Sequence, residues 1–216
     1  MIKGIIFDLD GVLVSTDKLH FKAWKRLAEE IGINGYNMED NVRQRGVSRM
    51  DSLEILLKKS ERIYTTEEKE KLADRKNRYY QELLSMSGED ILLPGAIKTL
   101  DLLKQKKLKT AVGSSSRNAP QIIDKTPIGL YIDGLVCGLD IMFSKPNPEV
   151  FLKAGEKIGI ESSQCLVVED AAAGIEAARR AGMKTLAVGY DYIKLGADYM
   201  AADLNSVDDW ECILGE

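Results

Sequence analysis

The stretch IIFDLDG, at positions 5 to 11, contains the clearest structural signal in this chain. Its apolar run Ile5-Ile6-Phe7 is continuous and does not alternate, which is typical of a central strand in a parallel sheet covered on both faces. The run stops at Asp8 and Asp10, and carboxylates beside a buried strand are costly unless they are paired or bound to a metal ion. The stretch therefore predicts a central strand that carries a polar site at its carboxyl end.

The sequence changes character twice after that stretch. Between about residues 15 and 93 it is charged and helical, with capping boxes indicated at Ser48 to Asp51 and at Thr65 to Glu68. After residue 94, strand and helix patterns alternate with short loops, which indicates a parallel sheet. We therefore predict an α/β fold, with a Rossmann-like parallel-sheet core formed by residues 1–14 and 94–216 and an inserted all-helical cap domain at residues 15–93.

The alternating part of the chain has recognisable helix and strand patterns. Helices are predicted at 96–106, from about 118, from 147 and at 171–181, and strands at 108–112, 165–168 and 184–188. Asn147 is predicted to cap its helix, with Pro148 in the first turn. Gly182 is predicted to follow the end of the 171–181 helix.

Polar residues stand where several of these predicted elements end or begin. Ser114 and the pair Glu169-Asp170 each follow a predicted strand, and Lys145 precedes a predicted helix. Ligands of open α/β sheets bind outside the carboxyl ends of the strands, so these residues are expected to converge with Asp8 on one crevice. Taken singly, each also has a simpler interpretation: a polar turn for Ser114 to Ser116, a solvated lysine, and a capped loop.

Together these residues permit phosphoryl transfer. A magnesium ion, which prefers oxygen ligands, would offset the repulsion within a cluster of four carboxylates: Asp8, Asp10, Glu169 and Asp170. A carboxylate such as that of Asp8 can attack phosphorus and form an acyl phosphate. Lys145 and Ser114 would then stabilise the phosphoryl oxygens. Asp10 would serve as general acid and base for the oxygen that leaves or attacks.

The bulk composition is that of an ordinary globular chain. Of its 216 residues, 44% are hydrophobic and 30% are charged, and the net charge is −4. A basic surplus that would indicate nucleic acid as a partner is missing, and no stretch resembles a signal peptide or a membrane span. Cys137, Cys165 and Cys212 have no zinc-type spacing. We therefore expect a cytoplasmic protein with no nucleic-acid or membrane partner, and a monomer, since no exposed apolar stripe or coiled-coil pattern stands out.

Four short motifs, in their order and spacing, resemble those of the haloacid dehalogenase superfamily. They are Asp8-Leu9-Asp10-Gly11-Val12, Ser114, Lys145-Pro146 and Glu169-Asp170. The helical insert between the first two resembles the cap of subfamily I. The resemblance implies that Asp8 is the phosphorylated nucleophile and Asp10 the acid and base. It also implies that Ser114, Ser115 and Lys145 hold the phosphoryl group. Mg²⁺ would be held by the Asp8 side chain, the Asp10 backbone carbonyl and Asp170, with Glu169 close by.

A more detailed resemblance, over about residues 1–190, is to the β-phosphoglucomutases. It is carried by residues 20–35, by Gly46 to Arg49, by Asp51 to Leu53 and by Arg75 to Asn77. It implies that the insert binds the substrate through His20, Trp24, Arg45, Gly46, Val47, Arg49, Ser52 and Lys76. On the core side it implies the same role for Ser116, Arg117 and Asn118.

The chain departs from that pattern at three positions. Arg45 stands where those mutases have lysine, which keeps the charge but changes its geometry. Ser115 stands where alanine is common, and Cys137 where some relatives have an acidic residue, so a metal or acidic contact at that loop stays open. Simpler interpretations of the insert also exist: His20 as an exposed helix residue, Trp24 as packing, and the arginines as a solvated face.

Three functions remain compatible with the sequence. The first is a mutase that interconverts β-D-glucose 1-phosphate and D-glucose 6-phosphate through an aspartyl-phosphate and β-glucose 1,6-bisphosphate, with small sugar phosphates as its partners. The second is a magnesium-dependent sugar-phosphate phosphatase with the same nucleophile. The third, a non-catalytic phospho-sugar sensor, is disfavoured because Asp8 and Asp10 both persist beside Lys145.

Overall fold

The computed structural model of the protein describes residues 1–44 and 48–215. Three of the predicted substrate-binding residues, Arg45, Gly46 and Val47, lie outside the described residues. By the proximity of Cα atoms the chain divides into two compact units. The first contains Met1–Ser15 and Glu89–Glu216, and the second contains Thr16–Gly88.

The regular elements are numbered in chain order. The strands are β1 (Gly4–Phe7), β2 (Lys109–Gly113), β3 (Gly134–Val136), β4 (Cys165–Glu169), β5 (Lys184–Ala187) and β6 (Tyr199–Met200). The α-helices are α1 (Asp17–Glu30), α2 (Met38–Arg43), α3 (Arg49–Leu57), α4 (Thr66–Ser85), α5 (Ala96–Gln105), α6 (Ala119–Asp124), α7 (Glu149–Ile158), α8 (Ala172–Arg180) and α9 (Trp210–Leu214).

The strands of the first unit form one parallel sheet in the order β3-β2-β1-β4-β5-β6. All four residues of β1 are buried, as expected for a strand with a neighbour on each side and helices on the faces. Successive strands are added on one side of β1 up to β3 and on its other side from β4 onward, so the strand order changes direction between β1 and β4. Ligands of such sheets bind at this switch point. The predicted α/β class with a parallel sheet is confirmed.

The second unit is helical throughout its described residues. Its core is formed by apolar residues of α1, α3 and α4, among them Trp24, Leu27, Leu53, Leu56 and Leu72. The capping box that begins α4 is present, since Thr65 Oγ1 accepts from Glu68 N at 3.3 Å and Glu68 Oε2 accepts from Thr65 N at 2.8 Å. At α3, Ser48 caps the helix by accepting from Asp51 N, but Asp51 accepts from the Ser48 hydroxyl in return.

Several elements differ from the sequence prediction. The cap of α7 is Pro148 instead of Asn147, although Asn147 Oδ1 still accepts from Glu149 N at 3.0 Å. The short strands β3 and β6 and the helix α9 are absent from the prediction. A three-residue strand such as β3 is too short to show a period; it is defined by pairing with β2 and by Asp133, which accepts from Thr110 N at 2.9 Å.

No helix in the described residues of either unit is both long enough and apolar enough to cross a membrane.

Candidate active site

Asp8 is the first residue after β1. Its backbone N–H donates to Val168 O at 2.9 Å, so the hydrogen bonding to β4 continues one residue beyond the strand. The chain then turns at Gly11, whose φ of +93° lies in the left-handed region that favours glycine. The register therefore places the Asp8 side chain, which is 11% exposed, at the carboxyl edge of the sheet beside the end of β4.

Lys145 joins two carboxylates from different strands. Its Nζ donates to Asp8 Oδ1 and to Glu169 Oε1, the latter at 2.7 Å. The Lys145 side chain is 9% exposed, and that of Glu169 is 2% exposed. Charge-assisted hydrogen bonds in so dry a place hold their partners strongly. The structure thus brings together an aspartate, a lysine and a glutamate that the sequence places far apart.

Burial and crowding alter the acidity of these groups. Burial raises the pKa of Asp8 to about 7; Lys145 opposes the shift, and Glu169 and Asp10 add to it. Burial, followed by repulsion from Glu169 and Asp8, raises the pKa of Asp170 to about 8. Burial works against the charged form of Lys145, but the charges of Asp8 and Glu169 raise its pKa above the usual value. The cluster therefore holds more negative charge than Lys145 can neutralise.

An excess of carboxylate charge is one property that makes a site suitable for a divalent cation. A Cβ built on Gly11 would lie 2.0 Å from Asp170 Oδ2, so the Asp170 carboxylate rests directly against the turn that follows Asp8 and Asp10. Magnesium is commonly held by one or two carboxylates, with water and substrate phosphate completing its shell. The oxygen chemistry and the crowding of Asp8 and Asp170 fit such an ion, and the Asp10 carbonyl stays its predicted third ligand.

Glu169 is tied to two neighbours. Its Oε1 accepts from Lys145 and its Oε2 accepts from Ala171 N at 2.8 Å. These contacts make Glu169 a partner of Lys145, and its predicted place beside the metal stays a prediction. Among residues 1–44 and 48–215, no three His, Cys, Asp or Glu side chains stand as a ready set of metal ligands, so water, backbone or substrate oxygens would have to complete the shell of any bound ion.

Ser114 begins the loop after β2, at the same edge of the sheet. Its side chain is buried, and its Oγ accepts from Ser116 N at 3.1 Å. Ser116 Oγ in turn accepts from Asn118 N at 3.2 Å. In this loop Ser115 and Arg117 are exposed, Ser116 is half-buried and Asn118 is buried. The loop is a tight polar turn at the strand end, and its role in binding phosphate or substrate stays a prediction.

Two glycines that sequence reasoning missed shape this site. A Cβ on Gly174, in α8, would lie 1.8 Å from Glu169 Oε1, and a Cβ on Gly138 would lie 2.3 Å from Ser115 O. Both positions need glycine because another group occupies the space of a side chain. Gly174 could have been noticed in the sequence, because a lone glycine inside a helical pattern often marks a position where packing leaves no room for a side chain.

In the helical unit, Lys76 is buried against aromatic rings. Its Nζ lies 2.6 Å from His20 Nδ1, 4.6 Å from the centre of the Trp24 ring and 5.2 Å from that of Tyr80. The His20 ring also stacks on Tyr80, with 4.2 Å between centroids. Trp24 is 2% exposed, so the structure favours the interpretation of this residue as packing. Lys76 joins these residues into one cluster through cation–π and hydrogen-bond contacts.

The remaining predicted residues of this unit lie on α3. Arg49 is half-buried and its Nη1 is 3.7 Å from Asp74 Oδ1. Ser52 is buried, and its carbonyl accepts from Gln44 Nε2 at 2.8 Å. Gln44 Oε1 in turn accepts from the Tyr36 hydroxyl at 2.6 Å. This buried network ties the end of α2 to α3, on which Arg49 lies.

His20 is expected to stay neutral at pH values well below the usual pKa of histidine. Burial lowers the pKa of His20 well below 6.5, and the charges of Lys76 and Arg49 lower it further. Since the ammonium of Lys76 donates, Nδ1 is the acceptor and the proton resides on Nε2. The unfolded chain binds a proton near pH 6.5 and the folded one does not, so the free energy of unfolding falls as the pH falls below that value, by at most about 1.4 kcal/mol per pH unit.

The chain contains one histidine, so a single set of imidazole NMR signals reports its titration. We expect no titration of these signals between pH 7.5 and 5.5 in the folded protein. We also expect the loss of stability across that range to be smaller in His20→Asn than in the wild type. A midpoint near 6.5 would contradict a half-buried neutral ring that accepts from Lys76.

Comparison with known proteins agrees with this geometry. Residues 2–182 match the model of the haloacid dehalogenase-like hydrolases. The protein therefore belongs to the haloacid dehalogenase-like hydrolase family, and the predicted family is confirmed.

Its relatives divide between two activities. The chain is 38% identical to a β-phosphoglucomutase of Bacillus subtilis, covering 97% of this chain and 96% of the relative. It is 31% identical to a phosphorylated carbohydrates phosphatase of Thermotoga maritima, covering 86% and 84% of the two chains. The crystal structure of a β-phosphoglucomutase from Clostridium difficile superimposes with a TM-score of 0.87 at 32% identity, covering 100% of this chain and 96% of the other.

Proposed function

We propose that this protein is a β-phosphoglucomutase that interconverts β-D-glucose 1-phosphate and D-glucose 6-phosphate through an aspartyl-phosphate on Asp8. The observation that carries the phosphoryl-transfer chemistry is the buried contact of Lys145 with Asp8 and Glu169 at the switch point of the sheet. The choice of a mutase is supported by similarity to such an enzyme over 97% of the chain, which includes both units. In this proposal the first unit is the catalytic core and the helical unit is the cap.

The core residues have distinct proposed roles. The 6-hydroxyl of β-glucose 1-phosphate attacks the phosphorus of phosphorylated Asp8 while Asp10 accepts its proton, which frees Asp8 and yields the bisphosphate. Asp8 then attacks the C1 phosphoryl group, the bond from phosphorus to the C1 oxygen breaks, and Asp10 returns the proton to that oxygen. Glucose 6-phosphate leaves and Asp8 is again phosphorylated. Lys145 and the Ser114 and Ser115 loop hold the phosphoryl oxygens.

A magnesium ion held by Asp8, Asp170 and the Asp10 carbonyl would supply positive charge against the phosphoryl oxygens. The remainder of the sugar phosphate is assigned to cationic and polar groups: Arg49, Ser52, Lys76 and His20 of the helical unit, and Ser116, Arg117 and Asn118 of the core. We place Trp24 in this set only through its contact with Lys76. Arg45, Gly46 and Val47 keep their proposed substrate role without a structural account.

A second candidate is a magnesium-dependent sugar-phosphate phosphatase. The observation that favours it is the 31% identity to the phosphatase of Thermotoga maritima. Both reactions include the same attack by Asp8 on a phosphoryl group; they differ in whether a sugar hydroxyl or water attacks the aspartyl-phosphate.

The deciding experiment follows both products of one reaction. The protein is mixed with Mg²⁺, β-glucose 1-phosphate and a trace of β-glucose 1,6-bisphosphate, and glucose 6-phosphate and free phosphate are measured together. Glucose 6-phosphate formation that greatly exceeds phosphate release, and that depends on the bisphosphate, supports the mutase. Phosphate release without isomerisation would replace the mutase by the phosphatase.

Arg49→Ala extends this experiment to the helical unit. Loss of a charge-assisted contact to a phosphate group, worth about 1.5–3 kcal/mol, should lower glucose 6-phosphate formation by about 10- to 100-fold. Hydrolysis of acetyl phosphate, which has no second phosphate, should change little. Arg62→Ala is the matched control, because Arg62 also lies in the helical unit and pairs with an acid, Glu68. An equal loss in both reactions would remove Arg49 from substrate recognition.

A further inference from the structure

Lys145 is carried by a segment without regular structure. Residues 137–148, between β3 and α7, are all described and contain neither helix nor strand. Cys137 is buried and Ile141 packs against the core, but the two apolar residues that follow do not anchor the segment, since Met142 is 84% and Phe143 58% exposed. Yet the Lys145 ammonium group must stay within hydrogen-bond reach of Asp8 and Glu169. Between Ile141 and Lys145, polar contacts must therefore supply much of the local restraint.

Glu149, the first residue of α7, provides such contacts. Its Oε2 accepts from the backbone N–H groups of Met142 and Phe143, each at 2.9 Å. Its Oε1 accepts from Lys153 Nζ at 2.7 Å, and the same ammonium group donates to Asp140 O at 2.6 Å. One carboxylate therefore ties the segment to α7 shortly before Lys145.

The charge state of Glu149 agrees with this role. The hydrogen bond from Lys153 and that from the Phe143 N–H hold the pKa of Glu149 below its usual range. Two successive backbone N–H groups directed at one anionic oxygen form a concave anion site of the type called a nest. Here the anion is the Glu149 carboxylate of the protein itself, so the nest attaches residues 142–143 to the first turn of α7.

We infer that Glu149 is a positioning residue for the phosphoryl-transfer step, which acts by holding residues 142–143 so that Lys145 stays on Asp8. The inference rests on the proposed role of Asp8 as phosphoryl acceptor. A simpler role is also available to Glu149, because an acid in the first turn and a lysine four residues later both favour a helix. That role involves neither Met142 nor Phe143, so the two interpretations differ in what they predict.

Amide exchange tests the contact directly and without reference to activity. In the wild type the N–H groups of Met142 and Phe143 should exchange slowly for a loop, and in Glu149→Ala their protection should fall at least about tenfold, the effect of losing about 1.4 kcal/mol. In Glu149→Gln, whose amide oxygen can still accept from both, most of the protection should remain. Unchanged exchange in Glu149→Ala would overturn the inference.

Kinetics then test the link to Lys145. A misplaced catalytic group costs rate more than binding, so Glu149→Ala should slow single-turnover phosphorylation of Asp8 by acetyl phosphate about tenfold or more, with a small change in KM. Glu67→Ala is the matched control: Glu67 also lies in the first turn of its helix and pairs with a lysine four residues on, Lys71, at 2.6 Å. This variant should phosphorylate at the wild-type rate.

A double-mutant cycle separates positioning from general stability. If Glu149 acts through Lys145, Glu149→Ala should add little to the loss already caused by Lys145→Ala. Fully additive losses would overturn the inference. Phosphorylation of Asp8 is common to mutase and phosphatase, so failure of the mutase assignment leaves this test intact. If the wild type forms no phosphoenzyme, the proposed chemistry fails, and the exchange experiment still decides whether Glu149 holds the loop.

Discussion

Asp8→Asn is expected to abolish phosphoenzyme formation and to lower turnover by at least about 10⁴-fold, the scale seen when a covalent nucleophile is removed. The asparagine amide is a poor nucleophile toward phosphorus, and no charge remains at that position for Lys145 to hold. The measurement is the mass of the intact protein after mixing with β-glucose 1,6-bisphosphate and Mg²⁺. The wild type should gain one phosphoryl group and the variant none.

Asp133→Asn is a suitable control for this experiment. Asp133 is also paired with a lysine, Lys109, at 2.6 Å, but it lies at the amino end of β2, away from the carboxyl edge where Asp8 stands. This variant should still gain the phosphoryl group. Phosphorylation of Asp8→Asn to the wild-type extent would place the nucleophile elsewhere.

Asp8→Asn, although it abolishes activity, is not expected to lower the stability of the protein when magnesium is withheld. Asp8 has a folded pKa of about 7, above its unfolded value of 3.8, so the native state binds the extra proton. Its contribution is therefore fully present at low pH and is lost as the pH rises through about 7, by up to roughly 1.4 kcal/mol per pH unit. Thermal unfolding in the presence of EDTA at pH 8 should find Asp8→Asn at least as stable as the wild type. A large loss of stability would mean that the pair with Lys145 outweighs the burial of Asp8.

The second large effect is expected from Gly174→Ala. The added methyl group would lie 1.8 Å from Glu169 Oε1 and 2.0 Å from its Cδ. Glu169 is 2% exposed and both of its oxygens are bonded, so it cannot move aside without breaking the contact with Lys145. Displacing a buried, paired charge costs about 3–5 kcal/mol. We expect a loss of that size in the free energy of unfolding, measured by urea denaturation, together with loss of phosphoenzyme.

Gly155→Ala is the matched control, because Gly155 is also a helical glycine of the same unit. A Cβ there would lie 3.3 Å from its two nearest atoms, which can shift slightly, and alanine favours the helix over glycine by about 1 kcal/mol. The two effects should nearly cancel. The double variant Gly174→Ala/Glu169→Asp should recover part of the stability, because aspartate is shorter than glutamate and leaves room for the methyl group. Equal stability of Gly174→Ala and Gly155→Ala would contradict the close contact with Glu169.

Much of the framework could be read from local patterns. The continuous apolar run before Asp8 predicts the buried central strand, and the box formed by Thr65 and Glu68 predicts the start of α4, because both signals depend on neighbouring residues alone. The convergence of Asp8 with Lys145 and Glu169 also followed from sequence, since parallel strands present their carboxyl ends at one edge of the sheet.

Other features depend on contacts between distant parts of the chain, and no local pattern reports them. The pairing of Glu169 with Lys145 and with Ala171 N depends on where packing brings donors to its two oxygens. The need for glycine at position 174 arises because the Glu169 side chain lies against α8 at that point.

The amino-acid sequence by itself determined the fold class and placed the charged groups, among them the proposed nucleophile, at the sheet edge. These follow from periodicity and from the direction of the strands. The tertiary structure decided how those charges are shared. In a dry site each oxygen must find a donor within hydrogen-bond distance. Which donor each oxygen finds, and how far each pKa moves, is set by packing between distant segments.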